Sequence, residues 1–296
     1  MARMLRGLGP RQFAKELWGQ ISRNRTFDLA AQFAYWSLLA LFPFAIFLLT
    51  IIGYVPLHGL DEQVLDIVNN VMPAQAAALF EHTLREVIGR QRGWLLLFAL
   101  VGSVWSATGG MASTLTALNR AYGVQETRPW WKRKLLCIAM TVGAALAMIV
   151  STAAMLIGPQ LVHSLMELLG LGGAFDVIWR WVRWPIVVGG LLFALALVYY
   201  FLPNVKQRFR AITPGSVIAV GLWVIVSSAF NAYVSHFHSY AKTYGTLGTA
   251  VVLMTWLYLT GLVVILGGEI NAVLDRQRAV EQTAKETPPV VDHAPA

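Results

Sequence analysis

Six stretches of largely apolar residues run approximately from Leu29 to Val55, Gly93 to Leu118, Leu135 to Val162, Trp184 to Pro203, Ala211 to Ser235 and Thr243 to Gly268. As helices rising 1.5 Å per residue, each is long enough to cross a hydrocarbon core about 30 Å thick. None contains a Lys or Arg; all 23 basic residues lie outside them. A membrane β-barrel would alternate with period two, which the run Leu95-Leu96-Leu97-Phe98-Ala99-Leu100-Val101 does not. The expected architecture is therefore an all-α polytopic membrane protein with six transmembrane helices. Composition excludes a soluble fold of 296 residues: 57% is hydrophobic and 13% charged, where a soluble chain carries about a quarter charged. A disordered chain needs low hydrophobicity, and a disulfide scaffold needs a partner for the single Cys137.

The basic residues also orient the chain. Residues 1–28, 119–134, 204–210 and the tail after 274 hold 17 of the 23, and the alternate segments hold the other six, Arg85, Arg90, Arg92, Arg180, Arg183 and Lys242. Positive-inside bias then places both termini in the cytoplasm. The pI near 9.8 follows from this bias and from attraction to anionic lipid headgroups, without nucleic-acid binding.

Three regions emerge. Residues 1–28 form a cytoplasmic basic arm, with Pro10 placed to start a helix and Phe13, Ala14, Leu17, Trp18 and Ile21 at helical spacing. It reads as an interfacial amphipathic helix, an anchor for the first span, with lipid sensing or docking as its functional alternative. Residues 29–274 form the membrane domain. Its outer segment 56–92 carries two amphipathic stripes split by Pro73, expected as short helices on the outer face. Residues 275–296 are expected as a disordered cytoplasmic tail.

Glu269 is the one acidic residue touching a span. Lying 25 residues after Tyr244, about 37 Å along a helix, it belongs near the cytoplasmic border. Its expected partner is Arg120, at the same depth, with Asn119 and Asn271 as hydrogen-bonding neighbours; the arrangement is either a structural ion pair or a functional site. Ser103, Ser106, Gly110, Ser113 and Ala117 share a face of the second span, suited to close helix packing or to lining a polar cavity. Pro43 is expected to bend the first span, and Gly109-Gly110 to loosen the second. The histidines lack the companions of a zinc site, no phosphate-binding Gly-rich loop ending in Lys-Ser/Thr occurs, and Cys137 reads as a packing residue. No catalytic residue, metal or cofactor is expected.

Four blocks together resemble one family. They are Ala30-Ala31-Gln32-Phe33-Ala34-Tyr35 with Leu41-Phe42-Pro43; Trp105-Ser106-Ala107-Thr108-Gly109-Gly110 with Ala117-Leu118-Asn119-Arg120-Ala121-Tyr122-Gly123; Leu202-Pro203-Asn204 with Pro214-Gly215; and Tyr244-Gly245-Thr246-Leu247-Gly248 with Trp256-Leu257-Tyr258 and Gly267-Gly268-Glu269-Ile270-Asn271. In this order they resemble the YihY/BrkB bacterial inner-membrane proteins, once labelled ribonuclease BN. Ala40 departs from the Ser often found there, so a hydroxyl at that position is not essential here.

The resemblance implies a multi-pass protein of the bacterial inner membrane, read as a transporter or exporter of a lipid, envelope precursor or other anionic substrate. A non-transporting scaffold for envelope proteins is the alternative. Ribonuclease chemistry needs an acid/base pair or metal cluster that the cytoplasmic segments do not supply. The residues expected at a binding or gating site are Asn119, Arg120, Glu269, Asn271, Trp105, Gly109, Gly110, Pro43 and Tyr244. The expected partners are the phospholipid bilayer with its anionic headgroups and a lipid or anionic solute, with no nucleic acid; a homo-oligomer is compatible with all of this.

Overall fold

The computed structural model describes residues 9–54, 93–147, 172–236 and 238–286. These form seven helices: α1 Pro10–Asn24, α2 Thr26–Tyr54, α3 Gly93–Ala121, α4 over residues 130–147, α5 Gly172–Phe201, α6 Pro214–His236 and α7 His238–Glu286. No strand occurs among the described residues. Among the described residues four stretches are long and apolar enough to cross a bilayer: Thr26–Phe47, Leu96–Ala121, Pro214–Val234 and Gly248–Val280. They coincide with the first, second, fifth and sixth expected spans. The fourth corresponds to a shorter apolar stretch, Val187–Phe201. The third is described only as far as residue 147, and the outer segment 56–92 lies outside the described residues.

Large apolar side chains point outward along these helices, Phe42 at 66% and Phe98 at 69% exposure among them. In water such surfaces would associate; in hydrocarbon they meet a matching solvent.

α1 starts on Pro10 and ends where Arg25 takes the left-handed conformation, φ 56° and ψ 45°, its N–H reaching back to the last carbonyls. That turn lets α2 begin at the next residue, and the Arg25 guanidinium closes on Asp28 at 2.6 Å. α2 and α3 then run antiparallel in close register. Gly110 lies against Phe33 and Ser37, Gly109 against the Trp36 ring, and Gly102 against Pro43. α2 is helical on both sides of Pro43, whose ring packs on the Cβ-less face of Gly102. α3 closes on Gly123 at φ +68°, the left-handed cap that glycine adopts without strain, with the Val124 N–H bonded to the Asn119 carbonyl at 2.9 Å.

α6 begins at Pro214, three residues later than expected, because Thr213 caps it. The Ser216 N–H donates to the Thr213 hydroxyl at 3.1 Å and the Thr213 N–H to the Ser216 hydroxyl at 3.0 Å, a reciprocal capping box with proline in the first helical position. α7 continues through Glu286, beyond the expected boundary at residue 275. An Arg278–Asp275 pair at 3.0 Å and the helix-forming residues after it carry the helix on.

Two apolar clusters join the helices. Leu115, Leu118, Cys137, Tyr199 and Leu202 link α3, α4 and α5; Leu29, Ala30, Ala117 and Ile265 link α2, α3 and α7. Cys137 is a buried packing residue there. The start of α2, the end of α3, the end of α5, the start of α6 and the Glu269 region of α7 all meet at one end of the bundle.

Candidate functional site

Glu269 is fully buried, at 0% exposure, where α7 passes the α1–α2 turn. The Asn24 amide nitrogen lies 2.9 and 3.0 Å from its two oxygens, and the Thr26 hydroxyl donates to one of them at 3.0 Å. With its amide oriented to satisfy both ends, Gln20 donates to the other oxygen at 3.1 Å and accepts from Arg276 at 2.9 Å. The expected Arg120 ion pair does not form. Arg120 is exposed and donates instead to the Asn24 backbone carbonyl at 3.0 Å, so Asn24 stands between the two charges. With its oxygens occupied by neutral donors, the carboxylate ties the arm to the last span.

Asn119 and Asn271 do not neighbour Glu269 as expected; each clamps a loop. Asn119 donates to Glu126 at 2.9 Å and accepts from the Asn204 N–H at 2.7 Å. Arg128 adds two bonds to the carbonyls of Leu202 and Pro203, at 3.2 and 3.0 Å, so the α3–α4 loop is stitched to the end of α5. Asn271 accepts from the Gly215 N–H at 2.8 Å and donates to Thr213 at 3.0 Å, seating the first turn of α6 on α7. The same crossing is why residues 215 and 267 are glycines: a Cβ on either would run into the other's backbone carbonyl.

The remaining expected residues are not gathered at this end. Gly109, Gly110 and Pro43 belong to the packed α2–α3 seam. Ser103, Gly110, Ser113 and Ala117 are buried in α3, so that face is used for close packing. Tyr244 lies near the start of α7, about 37 Å of helix from Glu269. Trp105 is 57% exposed, and the Lys134 ammonium sits 3.9 Å from its ring centre while donating to Thr108 at 2.7 Å. Although Lys134 precedes the third apolar stretch, its amine reaches the middle of α3, and it has no carboxylate partner among the described residues.

A cavity of about 400 Å³ opens beside the Glu269 cluster, between Tyr122, the segment after α5 and the 271–278 stretch of α7. Arg120 and Glu269 are not among its lining residues. Among the described residues five cations line it, Lys206, Arg208, Arg210, Arg276 and Arg278, against one carboxylate, Asp275. That carboxylate is engaged by Arg278 at 3.0 Å and by the Tyr122 hydroxyl at 3.3 Å. Burial, reinforced by Asp275, pushes the Tyr122 pKa up, keeping the hydroxyl protonated as a donor. Sequence reasoning counted these cations for topology and left them out of the expected site residues. The signal available was their alternation, Lys206-Gln207-Arg208-Phe209-Arg210, in a short connection next to Arg276 and Arg278. Gln20, Asn24 and Thr26 were equally readable as polar residues at the entry to the first span. Among the described residues no three His, Cys, Asp or Glu side chains cluster as metal ligands.

The family described as virulence factor BrkB matches residues 17–291. A putative ribonuclease-like protein, YfkH, of Bacillus subtilis (strain 168) is 35% identical over 266 residues, 90% of this chain and 96% of the relative. UPF0761 membrane proteins of Xanthomonas campestris pv. campestris (strain B100) and Xanthomonas axonopodis pv. citri (strain 306) are each 27% identical over 280 residues, 94% of this chain. The chain spans 64% of the length of those two Xanthomonas relatives. No solved structure matches it. With its apolar helices and a match over most of its length, the chain is a membrane protein that belongs to the virulence factor BrkB family.

Proposed function

We propose that this protein is a transporter or exporter in the bacterial inner membrane, with six spans and both termini in the cytoplasm, moving a lipid, envelope precursor or other anionic substrate. The observation that carries this reading is the cation-lined cavity where the helix ends converge. A bundle serving only as an anchor has no need of an open, electropositive recess at its rim. The orientation is supported by the excess of Lys and Arg in the segments at that end. In this reading the cations of the cavity, and not Arg120, meet the anionic substrate, and the Glu269 cluster holds the arm in place beside it.

The second reading, a non-transporting scaffold for envelope proteins, is favoured by one observation, the tightly interlocked α2–α3 seam of Phe33, Trp36, Gly109 and Gly110. Ribonuclease activity, which the name of the Bacillus subtilis relative raises, would require an acid/base pair or a metal beside the cations. The carboxylate lining the cavity is already bonded to Arg278 and Tyr122.

The test is movement of a panel of anionic lipids and small solutes by the full chain in proteoliposomes, with wild type compared with Arg120→Ala. Wild type is expected to move at least one substrate faster than protein-free vesicles, and Arg120→Ala to retain most of that rate. Movement equal to protein-free vesicles across the whole panel contradicts transport.

A further inference from the structure

The segment after α5 alternates between anchored and free side chains. Gln207 donates its amide to the carbonyls of Tyr199 and Tyr200, at 2.6 and 3.2 Å, and thereby covers the exposed end of α5. Phe209 packs edge-on against Tyr200, with ring centres 5.2 Å apart. These two contacts pin every second residue. The residues between and beside them, Lys206, Arg208 and Arg210, all line the cavity, and none makes a hydrogen bond or ion pair with any described residue.

Three exposed cations without partners on the rim of one recess give it a positive potential that draws an anion in. Opposite them, Asp275 and Arg278 pair with each other at 3.0 Å, so that acid does not neutralise the three free cations. Five cations against one carboxylate suit a group carrying more than one negative charge, and the planar guanidinium fork matches phosphate oxygens in pairs. A volume of about 400 Å³ lies toward the small end of ligand pockets, ~300–1,000 Å³. It accommodates a headgroup or a small solute, leaving acyl chains to the surrounding bilayer.

We infer that the cavity between the α5–α6 segment and α7 is a binding site for a phosphate group, held by Arg208, Arg210 and Lys206. The group belongs either to a lipid headgroup at the membrane surface or to a soluble phosphorylated compound. This deepens the transport reading, and it rests on that reading only for the claim that the bound molecule is then moved.

The test uses the full chain in nanodiscs of zwitterionic lipid. One arm dopes the nanodiscs with phosphatidic acid and counts retained lipid by native mass spectrometry; the other titrates inorganic pyrophosphate and glycerol phosphate by calorimetry. Wild type is expected to bind at least one probe saturably. The double variant Arg208→Gln/Arg210→Gln should bind at least tenfold more weakly, while Arg208→Lys/Arg210→Lys recovers part of the affinity. Arg11→Gln/Lys15→Gln, which removes two charges from the arm, should bind as wild type does. Retention of phosphatidic acid alone assigns the lipid source, and saturation by a soluble probe assigns the solute. The site is overturned if neither arm saturates, if the arm variant loses as much as the cavity variant, or if succinate binds as tightly as the phosphates. Phosphate binding without substrate movement in proteoliposomes defeats the transport reading and leaves the site standing; movement without phosphate binding does the reverse.

Discussion

The Asn24 side-chain nitrogen stands 2.9 Å from one carboxylate oxygen of Glu269 and 3.0 Å from the other. A neutral amide, rather than a guanidinium, therefore faces the buried acid on α7 and joins the N-terminal arm to the last span.

Glu269→Gln should destabilise the fold by about 1–3 kcal/mol, because a glutamine turns one acceptor into an NH2 that opposes the amide donors of Asn24 and Gln20. Asn24→Asp should cost more, since it sets a second carboxylate against the first. Thermal unfolding in nanodiscs measures both. Exchanging the charges in Arg120→Glu/Glu269→Arg should rescue nothing, as the two side chains do not pair; recovery of stability in that double variant would mean that they do.

Gly267→Ala should cost roughly 1–3 kcal/mol or abolish folding, since its Cβ would meet the Tyr199 hydroxyl, the Gly215 carbonyl and Ala219. Gly189→Ala, with nothing within 4 Å, should leave the melting temperature nearly unchanged. Equal effects would show that the α6–α7 crossing is looser than described.

These two clusters mark where the sequence was readable and where it was not. The apolar runs identify the spans because hydropathy over about 20 residues registers the bilayer directly, and four of the six recur as helices long enough to cross. The Glu269 partners escaped because the arm was read as an apolar stripe. In the bundle Trp18 of that stripe is exposed, whereas the polar Gln20 is buried beside Ile21. In a bilayer setting apolar residues can face outward, and polar ones turn inward to find partners, so hydrophobic period alone does not name the buried face. Arg120 was matched to Glu269 by depth, which is legible. Which way a side chain turns at that depth is decided by Asn24, 96 residues away in sequence, which is not. The Asn119 and Asn271 clamps likewise join segments distant along the chain.

Lys134 and Trp105 should be energetically coupled. A cycle of Lys134→Met, Trp105→Leu and the double variant is expected to give a coupling of ~0.5–2 kcal/mol, the range of a cation held over an indole face. Additive single effects in thermal unfolding would contradict the contact.

Tyr122 gives the protein an alkaline signature. Burial first, and Asp275 second, hold its pKa above the ordinary value of about 10. Above that pH the unfolded chain loses the phenolic proton before the folded chain does. The folded state then binds more protons, and stability falls as pH rises. The contribution is intact below about pH 10 and is lost above it. Tyr122→Phe should therefore show a flatter decline in melting temperature between about pH 10 and 11.5. A decline as steep as that of wild type would place the hydroxyl in water.

Transbilayer movement of fluorescent phosphatidic acid and of radiolabelled glycerol phosphate, followed in one proteoliposome preparation for wild type and for Arg208→Gln/Arg210→Gln, tests whether the cavity cations serve transport. Wild type is expected to move one of the two faster than protein-free vesicles, and the double variant to lose at least nine-tenths of that excess. Identical rates for wild type, the double variant and protein-free vesicles would rule out movement of a phosphate-bearing substrate through this cavity.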